Sequence, residues 1–342
     1  MSAFGRISRG MILSAGLGTR LAPITNTIPK PLVPVLNLPN ILHAVDLLRR
    51  VGIREIVINL HHLPTKIQSF LGAGEQYDVK IHYSLESTLL GTGGGVKNAE
   101  KFLAGESFVL ANCDFISNID LAPAIERHFS RGSCATMILV PPREGYTPVY
   151  CDEKSRLLGI GKSPRSTPFS GTFTGLHILS PQALTYLRPL HSGINTDLYP
   201  RLVAEKGPAF CELYSDPHWL DTGDLSTLYG SSIQLLKILG KEEGAVHSKS
   251  LQSYLNYKEA QPGVWIPIGK SLPAHSQFQA PCVVGNPETI GRGTTIGPHC
   301  VLSSETTVAP MATLSQTITL GANQLSGAST AALYFENRNL LK

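Results

Sequence analysis

The sequence predicts an α/β fold with a mostly parallel sheet, followed by a short β-helix. Between residues 10 and 83, apolar strand-like segments alternate with amphipathic helical segments in the order β-α-β-α-β. That order is typical of parallel strands joined by right-handed crossovers. From Val283 onward, an aliphatic residue followed by a small one recurs about every six positions, and a repeat of this length indicates a β-helix.

The first elements of the sheet follow from periodicity and from residues that stop helices. The apolar residues of Asn40–Val51 lie on one helical face, and Gly52 ends that helix. A β-branched strand follows at Glu55–Asn59. Pro64 begins the next helix, and the alternating segment Val79–Tyr83 predicts a further strand.

Length and composition predict one large domain and a smaller one. Of the 342 residues, 42% are hydrophobic, the formal net charge is +4, and no long run of Lys or Arg marks a nucleic-acid surface. No apolar run approaches the roughly 20 residues of a membrane span, and the first ten residues lack the apolar core of a secretory signal. We therefore expect a cytoplasmic protein whose partners include neither nucleic acid nor membrane.

The cysteines and histidines give no sign of a metal cage. The six cysteines are scattered without a C-x-x-C pair, which favours reduced thiols over a zinc site or a disulfide framework. His61 and His62 are adjacent, and adjacent residues of a strand face opposite sides. We do not expect these two side chains to bind one metal.

The segment after the first strand has the composition of a phosphate-binding loop. The apolar run Met11–Leu13 ends in Ser14, Ala15, Gly16 and, two positions later, Gly18. Small residues leave backbone N–H groups uncovered, so such a loop can cradle phosphate oxygens. An ordinary βα loop that faces solvent is the alternative on these residues alone.

Two cations at fixed offsets strengthen the case for a polyphosphate site. Arg20 follows the glycines, and Lys30 lies between two prolines that stiffen its segment. A dinucleotide fingerprint is excluded because Leu21 occupies its third glycine position. A P-loop is excluded because Gly263 and Gly269 are separated by five residues instead of four.

Residues 16–35 form one continuous pattern, G-x-G-T-R-L-x-P-x-T-x-x-x-P-K-P-L-x-P-V. This pattern closely resembles the signature of sugar-phosphate nucleotidyltransferases, such as mannose-1-phosphate guanylyltransferases and muramate-phosphate uridylyltransferases. The resemblance implies a Rossmann-like, mostly parallel nucleotidyltransferase sheet. It also implies that the loop holds a nucleoside triphosphate and that the two cations neutralise its phosphates. Ala15 replaces a glycine that many members have, but its N–H remains available. The residues that receive these roles are Ala15, Gly16, Gly18, Thr19, Arg20 and Lys30.

A second glycine-rich segment, LGTGGGVKN at residues 90–98, has four glycines in five positions. Glycines are costly to order, so we do not expect them to be chosen for packing. They suit a backbone that wraps a flat ligand or turns sharply into a helix, although a solvent loop is the alternative. The segment resembles the family's second nucleotide loop, which implies base contacts from Gly91, Thr92, Gly93 and Gly94.

An acid lies at the end of an apolar strand. The strand within Ser107–Asp114 ends in Asn112, Cys113 and Asp114. In open α/β sheets ligands bind at this end of the strands. The family has N-G-D here, which implies that Asp114 binds Mg²⁺; a helix cap is the alternative.

The next motifs resemble the sugar-phosphate pocket of the family. Thr136–Val140 predicts a strand, and Val149–Ile160 predicts an antiparallel hairpin. Members of the family usually have E-K-P at the position of Gly161-Lys162-Ser163-Pro164. The resemblance implies that Lys162 reaches the sugar phosphate. The Glu that often contacts the sugar is missing, because Gly161 takes its place. Thr174 and Gly175 match the F-x-G strand that lines the same pocket.

The last enzymatic motif begins at His218 and resembles W-x-D-x-G. The resemblance implies that Asp221 is the second magnesium ligand and acts with Asp114. Asp224 is expected to cap the helix Leu225–Leu239, and Asp197 is expected to cap an earlier helix.

These motifs predict a catalytic domain at residues 1–239, a connector at 240–262, a β-helix at 263–321 and a tail at 322–342 without assigned structure. The repeats resemble the left-handed hexapeptide coils that are appended to many sugar nucleotidyltransferases. About two or three coils fit, which is few for independent stability. We therefore expect them to pack on the catalytic domain or on a partner subunit, which would form a homo-oligomer.

The implied reaction joins a sugar-1-phosphate to a nucleoside triphosphate and releases pyrophosphate. Arg20, Lys30, Asp114, Lys162 and Asp221 are the expected catalytic residues, with Mg²⁺ as the cofactor. A guanylyltransferase that acts on mannose-1-phosphate is favoured over a uridylyltransferase of the N-acetylmuramate-1-phosphate type. A non-catalytic, nucleotide-sugar-binding regulator and an acyltransferase built on the coils are the alternatives from other classes.

Overall fold

The computed structural model describes residues 7–162, 169–188, 190–215, 218–239, 241 and 245–341, without the side chains of Ser248 and Leu251. Ser163 and Pro164, which take part in the predicted E-K-P match, lie outside the described residues. The chain forms two compact bodies. The first body comprises Met1–Leu17, Ile28–Pro31 and Ile41–Trp219, and the second comprises Gly18–Thr27, Leu32–Asn40 and Leu220–Lys342.

The elements up to residue 140 are, in chain order, β1 (Arg9–Leu13), β2 (Pro34–Val35), β3 (Leu38–Pro39), α1 (Asn40–Arg50), β4 (Glu55–Leu60), α2 (Pro64–Leu71), β5 (Lys80–Leu85), α3 (Gly91–Asn98), α4 (Glu100–Leu103), β6 (Phe108–Asn112), β7 (Phe115–Ser117), α5 (Ala122–Ser130) and β8 (Ala135–Val140). The elements that follow, up to the end of α8, are β9 (Pro148–Cys151), β10 (Leu157–Ile160), β11 (Phe169–Leu179), α6 (Tyr199–Ala204), β12 (Ala209–Leu213), β13 (Trp219–Asp221), α7 (Leu225–Ile238) and α8 (Ala245–Leu255).

The remaining elements are all strands. They are β14 (Tyr257–Gln261), β15 (Val264–Pro267), β16 (Gln277–Phe278), β17 (Cys282–Val284), β18 (Thr295–Ile296), β19 (Cys300–Leu302), β20 (Thr306–Val308), β21 (Thr313–Leu320), β22 (Asn323–Leu325), β23 (Ala328–Phe335) and β24 (Arg338–Asn339). Among the described residues, no helix has the length and apolar character that crossing a membrane requires.

The first body is built on one mixed sheet whose centre is parallel. Its strands follow the order β10-β9-β11-β6-β1-β4-β5, and β8 and β12 extend it beside β11. Met11 of β1 pairs in parallel with Val57 on one side and with Leu110 on the other. The antiparallel β11 then follows β6, and the antiparallel hairpin β9-β10 ends the sheet. The predicted α/β fold with a mostly parallel central sheet is confirmed.

The parallel strands are buried on both faces, which explains their continuous apolar sequences. Met11 and Phe108 are fully buried in the core of the first body, together with Tyr199 of α6. Parallel strands covered on both sides read as apolar runs instead of alternating patterns. This register brings the carboxyl ends of β1, β4 and β6 to the same edge of the sheet.

In the second body, parallel strands stack at a regular interval. Val264 pairs with Cys282, and Cys282 pairs with Cys300, each partner lying 18 positions further along the chain. A neighbouring face repeats this interval, because Gln277 pairs with Thr295 and that residue pairs with Thr313. Eighteen residues correspond to three six-residue units per turn, so the region is compatible with the predicted β-helix.

The stack is longer than the two or three coils that the sequence predicts. Strands β15, β17, β19, β21 and β23 follow one another in parallel pairing, so β23 adds structure to the predicted tail. Val301 pairs with Ile318, only 17 positions away, and Ile318 pairs with Leu333, only 15 positions away. Because the six-residue period is lost there, the repeat cannot be followed in the sequence. The predicted connector likewise contains α8 and β14.

Two segments of the N-terminal signature belong to the second body. Thr25 donates a hydrogen bond from its hydroxyl to the carbonyl oxygen of Gly18, which closes the first segment on itself. In the second segment, the side-chain amide of Asn37 donates to the carbonyl oxygen of Leu302 at 2.9 Å. The signature is therefore divided between the bodies, and Lys30 belongs to the first.

Candidate active site

A cavity of about 280 Å³ opens at the carboxyl ends of β1, β4 and β6 in the first body. This is the edge at which open α/β sheets bind ligands. Several residues predicted for the nucleotide and the metal line it together: Ala15, Gly16, Lys30, Gly91, Thr92 and Asp114.

The loop after β1 keeps one wall of this cavity open. A side chain at Gly16 would meet no atom within 4 Å, so packing does not require a glycine at this position. Ala15, beside it, is buried. The space above the Gly16 backbone is therefore accessible to a ligand, as a phosphate-binding loop requires.

Lys30 and Asp114 form an ion pair in the cavity wall. Lys30 Nζ lies 2.5 Å from Asp114 Oδ2, and the two side chains are 16% and 18% exposed. A partly buried, charge-assisted contact of this kind is stronger than an exposed one. It places a cation and a carboxylate side by side, as recognition of a metal-bound phosphate requires.

Cys113, between Asn112 and Asp114, lines the same cavity but is not a nucleophile. Burial raises the pKa of its thiol to about 12, although the nearby charge of Lys30 opposes this. The thiol is therefore protonated at neutral pH, and the thiolate is the reactive form of cysteine.

A chain of buried hydrogen bonds joins the first loop to the glycine-rich segment. The Ser14 N–H donates to Asn59 Oδ1 at 2.8 Å, and Asn59 Nδ2 donates to Glu86 Oε1 at 2.7 Å. The other oxygen, Glu86 Oε2, accepts the N–H of Leu90 at 3.1 Å. Asn59 and Glu86 also line the cavity.

Two further residues of the cavity, Asn59 and Glu86, are not among those that the sequence predicts for the site. Asn59 lies at the end of an apolar strand, as Asp114 nearly does, so the argument that identified Asp114 could have identified Asn59 as well. Glu86 directly follows β5, the next strand along the sheet. A buried carboxylate at a strand end needs hydrogen-bond partners, and here Asn59 and Leu90 supply them.

The glycines of the second glycine-rich segment are required by packing, so the prediction that they do not serve packing is wrong. Residues 91–98 form α3, and Gly93 and Gly94 both donate their N–H groups to the carbonyl oxygen of Ser192. A Cβ at Gly94 would lie 2.4 Å from the carbonyl oxygen of Leu190. Close packing of the 190–192 backbone therefore requires these glycines. Gly91 and Thr92 line the cavity, whereas Gly93 and Gly94 are buried beside it, and the base contacts of all four stay a prediction.

The remaining residues that the sequence predicts for nucleotide or metal belong to the second body. Gly18 has a φ of 67°, which permits the tight turn Thr19–Leu21. Arg20 is exposed, and its Nη1 lies 3.9 Å from Asp224 Oδ2. The carboxylate of Asp221 accepts the N–H of Gly223 at 2.8 Å. Convergence of this second set with Lys30 and Asp114 stays a prediction.

Asp224 caps a helix as the sequence predicts, whereas Asp197 lies inside a helix and bonds to the residue before that helix. Asp224 accepts the N–H of Thr227 at 2.8 Å and donates its own N–H to the Thr227 hydroxyl, which is a capping box for α7. Asp197 accepts the N–H of Gly193 at 2.6 Å, at the start of the π-helix Ile194–Leu198. This hydrogen bond is the main cause that lowers the Asp197 pKa.

The predicted sugar-phosphate residues are dispersed in the first body. Lys162 is exposed and lines a separate cavity of about 740 Å³, together with Asn195 and Tyr199. The Thr174 hydroxyl is buried and donates to the carbonyl oxygen of Ile138, so it serves the sheet. Gly175, with a φ of 91°, packs against Asn112 of the active-site strand. Their contacts with substrate stay a prediction.

The sequence profile of the nucleotidyl transferase family matches residues 9–237. The chain therefore belongs to the nucleotidyl transferase family. It is 30% identical over 319 residues to a UTP–glucose-1-phosphate uridylyltransferase of Synechocystis sp., which covers 86% of this chain and 79% of that protein. It is 32% identical over 246 residues to a mannose-1-phosphate guanyltransferase of Debaryomyces hansenii, covering 69% of this chain and 66% of the relative.

Solved structures share the fold. A putative glucose-1-phosphate thymidylyltransferase from Bacillus anthracis superposes with a TM-score of 0.57 at 24% sequence identity. The superposition covers 66% of this chain and 94% of that one. At this identity the likeness extends to the fold alone.

Proposed function

We propose that the chain is a sugar-1-phosphate nucleotidyltransferase with Lys30 and Asp114 at its centre. One observation carries the proposal: a single cavity joins the open loop at Gly16 to the Lys30–Asp114 pair. Backbone N–H groups and a cation bind phosphate oxygens, and a carboxylate is the ligand that a hard divalent cation needs. The cavity therefore has the groups that a metal-bound triphosphate requires.

In the proposed reaction, an oxygen of the sugar phosphate forms a bond to the α-phosphorus of the triphosphate. The bond from that phosphorus to the β-phosphate oxygen breaks, and pyrophosphate leaves. Such a transfer needs positioning and charge neutralisation more than a protein nucleophile. Lys30 and Arg20 bind the triphosphate, Lys162 orients the attacking phosphate, and Gly175 lies beside the sugar, whereas the buried Thr174 hydroxyl supports the sheet.

Mg²⁺ fits the donor chemistry of the proposed site. Asp114 presents a carboxylate to the cavity, and Asp221 is the proposed second ligand. Within the described parts of the chain, no three His, Cys, Asp or Glu side chains form a metal cluster. Two carboxylates suffice because Mg²⁺ keeps several waters and takes oxygens from its phosphate ligands. The ion would supply charge neutralisation on the phosphates.

Guanine is the proposed base, and Glu86 supports it. An ionised carboxylate is an acceptor with about four lone-pair sites, and Glu86 uses two of them for Asn59 and Leu90. Guanine presents a ring N–H and an amino group side by side, whereas uracil presents one N–H between two carbonyls. A cavity wall that carries a carboxylate therefore matches guanine better. Mannose-1-phosphate is the proposed sugar substrate, as the name of the Debaryomyces hansenii relative indicates for that protein.

A uridylyltransferase is the second candidate. The Synechocystis relative, named for glucose-1-phosphate and UTP, aligns with a larger share of this chain than the guanyltransferase does. Gly161 also replaces the Glu that often contacts the sugar, so N-acetylmuramate-1-phosphate is included among the substrates to test. A non-catalytic regulator would bind a nucleotide sugar without turnover.

Pyrophosphate release from a matrix of substrates tests these candidates. GTP, UTP, dTTP and ATP are each combined with the 1-phosphates of mannose, glucose and N-acetylmuramate, in the presence of Mg²⁺ or of excess chelator. We expect the highest kcat/KM with GTP and mannose-1-phosphate, and no turnover with chelator. Preference for UTP would establish the second candidate, and no release from any combination would leave the regulator.

A further inference from the structure

The ion pair in the active-site cavity joins two groups to which the proposed function gives different partners. Lys30 Nζ lies 2.5 Å from Asp114 Oδ2, so the ammonium group covers one oxygen of the carboxylate that is proposed to bind Mg²⁺. In the proposed function, the same ammonium group binds the phosphates of the triphosphate. Because like charges repel, Lys30 in this position opposes the binding of a cation at Asp114.

Burial and the other charges of the cavity strengthen this opposition. The side chains of Lys30 and Asp114 are only 16% and 18% exposed, and partly buried charges are screened less by salt than exposed ones. Lys30 is the one Lys or Arg among the described residues that line the cavity, whereas Asp114 and Glu86 are both acids. The Lys30 charge therefore controls how strongly this lining attracts a divalent cation.

The backbone holds both partners in place, so an exchange of partners involves the lysine side chain alone. Lys30 lies between Pro29 and Pro31, which are both buried and have fixed φ angles. Asp114 lies between the end of β6 and the start of β7. Rotation of the Lys30 side chain turns its ammonium group from the carboxylate towards a phosphate at the open loop of the same cavity.

We propose that Lys30 makes metal binding at Asp114 depend on a polyphosphate in the same cavity. In the free chain, Lys30 pairs with Asp114 and weakens the binding of a divalent cation there. Phosphate oxygens that take Lys30 as their partner release the carboxylate for the cation, so each ligand strengthens the binding of the other. This inference rests on the proposed function and adds to it the coupling between metal and triphosphate.

Metal binding to the chain without nucleotide tests the first half of the proposal. Mn²⁺ is the probe, because it takes the oxygen ligands that Mg²⁺ takes, and calorimetry or the spectrum of the unbound ion gives its Kd. Lys30→Met keeps the length of the side chain and removes its charge. We expect it to bind Mn²⁺ about tenfold more tightly than the natural chain, within the usual range of coupling between sites. Lys30→Met combined with Asp114→Asn should lose this gain.

Lys97→Met is the matched control for the loss of one positive charge. Lys97 Nζ lies 2.8 Å from Glu100 Oε1, and its side chain is 19% exposed, so its pairing and burial resemble those of Lys30. Lys97 is outside the lining of the active-site cavity. Its substitution should leave the Kd for Mn²⁺ unchanged. Lys30→Gln repeats the test if Lys30→Met does not fold.

Tripolyphosphate in excess chelator tests the second half without a metal and without a base. Asp114→Asn should bind it about tenfold more tightly than the natural chain, because Lys30 no longer has a carboxylate partner. With Met at position 30, the same change at Asp114 should give a clearly smaller gain. An equal gain in both backgrounds would mean that Asp114 only repels phosphate, which would overturn the proposal.

These binding measurements need no turnover, so they are separate from the test of the proposed function. Equal Kd values for Mn²⁺ in the natural chain and in Lys30→Met would overturn the coupling, even if the natural chain releases pyrophosphate. The expected shifts in Kd without any pyrophosphate release would support the coupling while the proposed reaction fails.

Discussion

Lys30 Nζ contacts Asp114 Oδ2 at 2.5 Å, although the two residues are 84 positions apart in the chain. The contact joins the proline-stiffened signature segment to the carboxyl end of β6. Each residue points to phosphate or metal chemistry on its own only weakly. Their pairing within one cavity makes them the centre of the proposed site.

The first prediction concerns this pair. Lys30→Ala and Asp114→Asn should each lower kcat by about 100-fold or more, because each removes a charged group that acts on the phosphates. Pyrophosphate release gives kcat, and thermal unfolding shows whether the fold is kept. Lys80→Ala, which removes an exposed cation of β5, is the control and should leave kcat unchanged. Turnover close to that of the natural chain in both variants would refute the assigned roles.

The second prediction concerns the base. Glu86→Gln replaces an acceptor oxygen by an amide donor, so it should weaken the use of GTP and favour UTP. We expect the ratio of kcat/KM for GTP to that for UTP to fall by about 10-fold to 100-fold. Glu100→Gln, which changes a partly buried acid of α4 that pairs with Lys97, serves as the matched control. An unchanged ratio in Glu86→Gln would exclude Glu86 from base recognition.

The third prediction separates the packing role of a glycine from ordinary helix propensity. At Gly94 a Cβ would lie 2.4 Å from the Leu190 carbonyl oxygen, whereas at Gly230, in α7, it would meet nothing within 4 Å. Gly94→Ala should therefore lower the free energy of unfolding by about 1–3 kcal/mol. Gly230→Ala should raise it by up to about 1 kcal/mol. Denaturant titration measures both, and equal changes in the two variants would contradict the close approach.

The fourth prediction concerns pH. Burial lowers the pKa of His43 and His177 to about 3 and that of His128 to about 4, each from an ordinary value of 6.5. Because the unfolded chain binds these protons more readily, the stability is fully present above pH 6.5 and is lost as pH falls below it. At pH 5.5 each histidine should cost about 1.4 kcal/mol.

Urea unfolding at pH 7.5 and pH 5.5 measures this loss. His177→Gln should show a shallower dependence on pH, since one of the three groups no longer titrates. A chain that is equally stable at both pH values would show that these histidines take up protons without unfolding.

Those parts of the site that rest on single residues at strand ends could be predicted from the sequence. Asp114 and Gly16 are predicted because each follows a buried strand at the edge where ligands bind, and because their motifs resemble those of the family. The role of the glycines in α3 could not be predicted. Their partner is the backbone at Leu190–Ser192, about 100 residues away, and a carbonyl oxygen leaves no trace in the side-chain sequence.

The C-terminal coils show a different limit. The six-residue repeat predicts the interval of 18 residues between Cys282 and Cys300. It fails where the interval shortens to 15, between Ile318 and Leu333. Parallel pairing tolerates turns of different lengths, whereas recognition of a repeat requires a constant one. The fold continues there after the pattern has ended.

The division of the N-terminal signature between the two bodies bears on where the chain can be truncated. Residues 18–27 and 32–40 are grouped with 220–342, so neither compact unit is one uninterrupted piece of polypeptide. Asn37 would lose its anchor on Leu302 if translation stopped after α7. A shortened chain that ends near residue 239 should therefore be less stable than the full chain, and thermal unfolding of the two measures the difference.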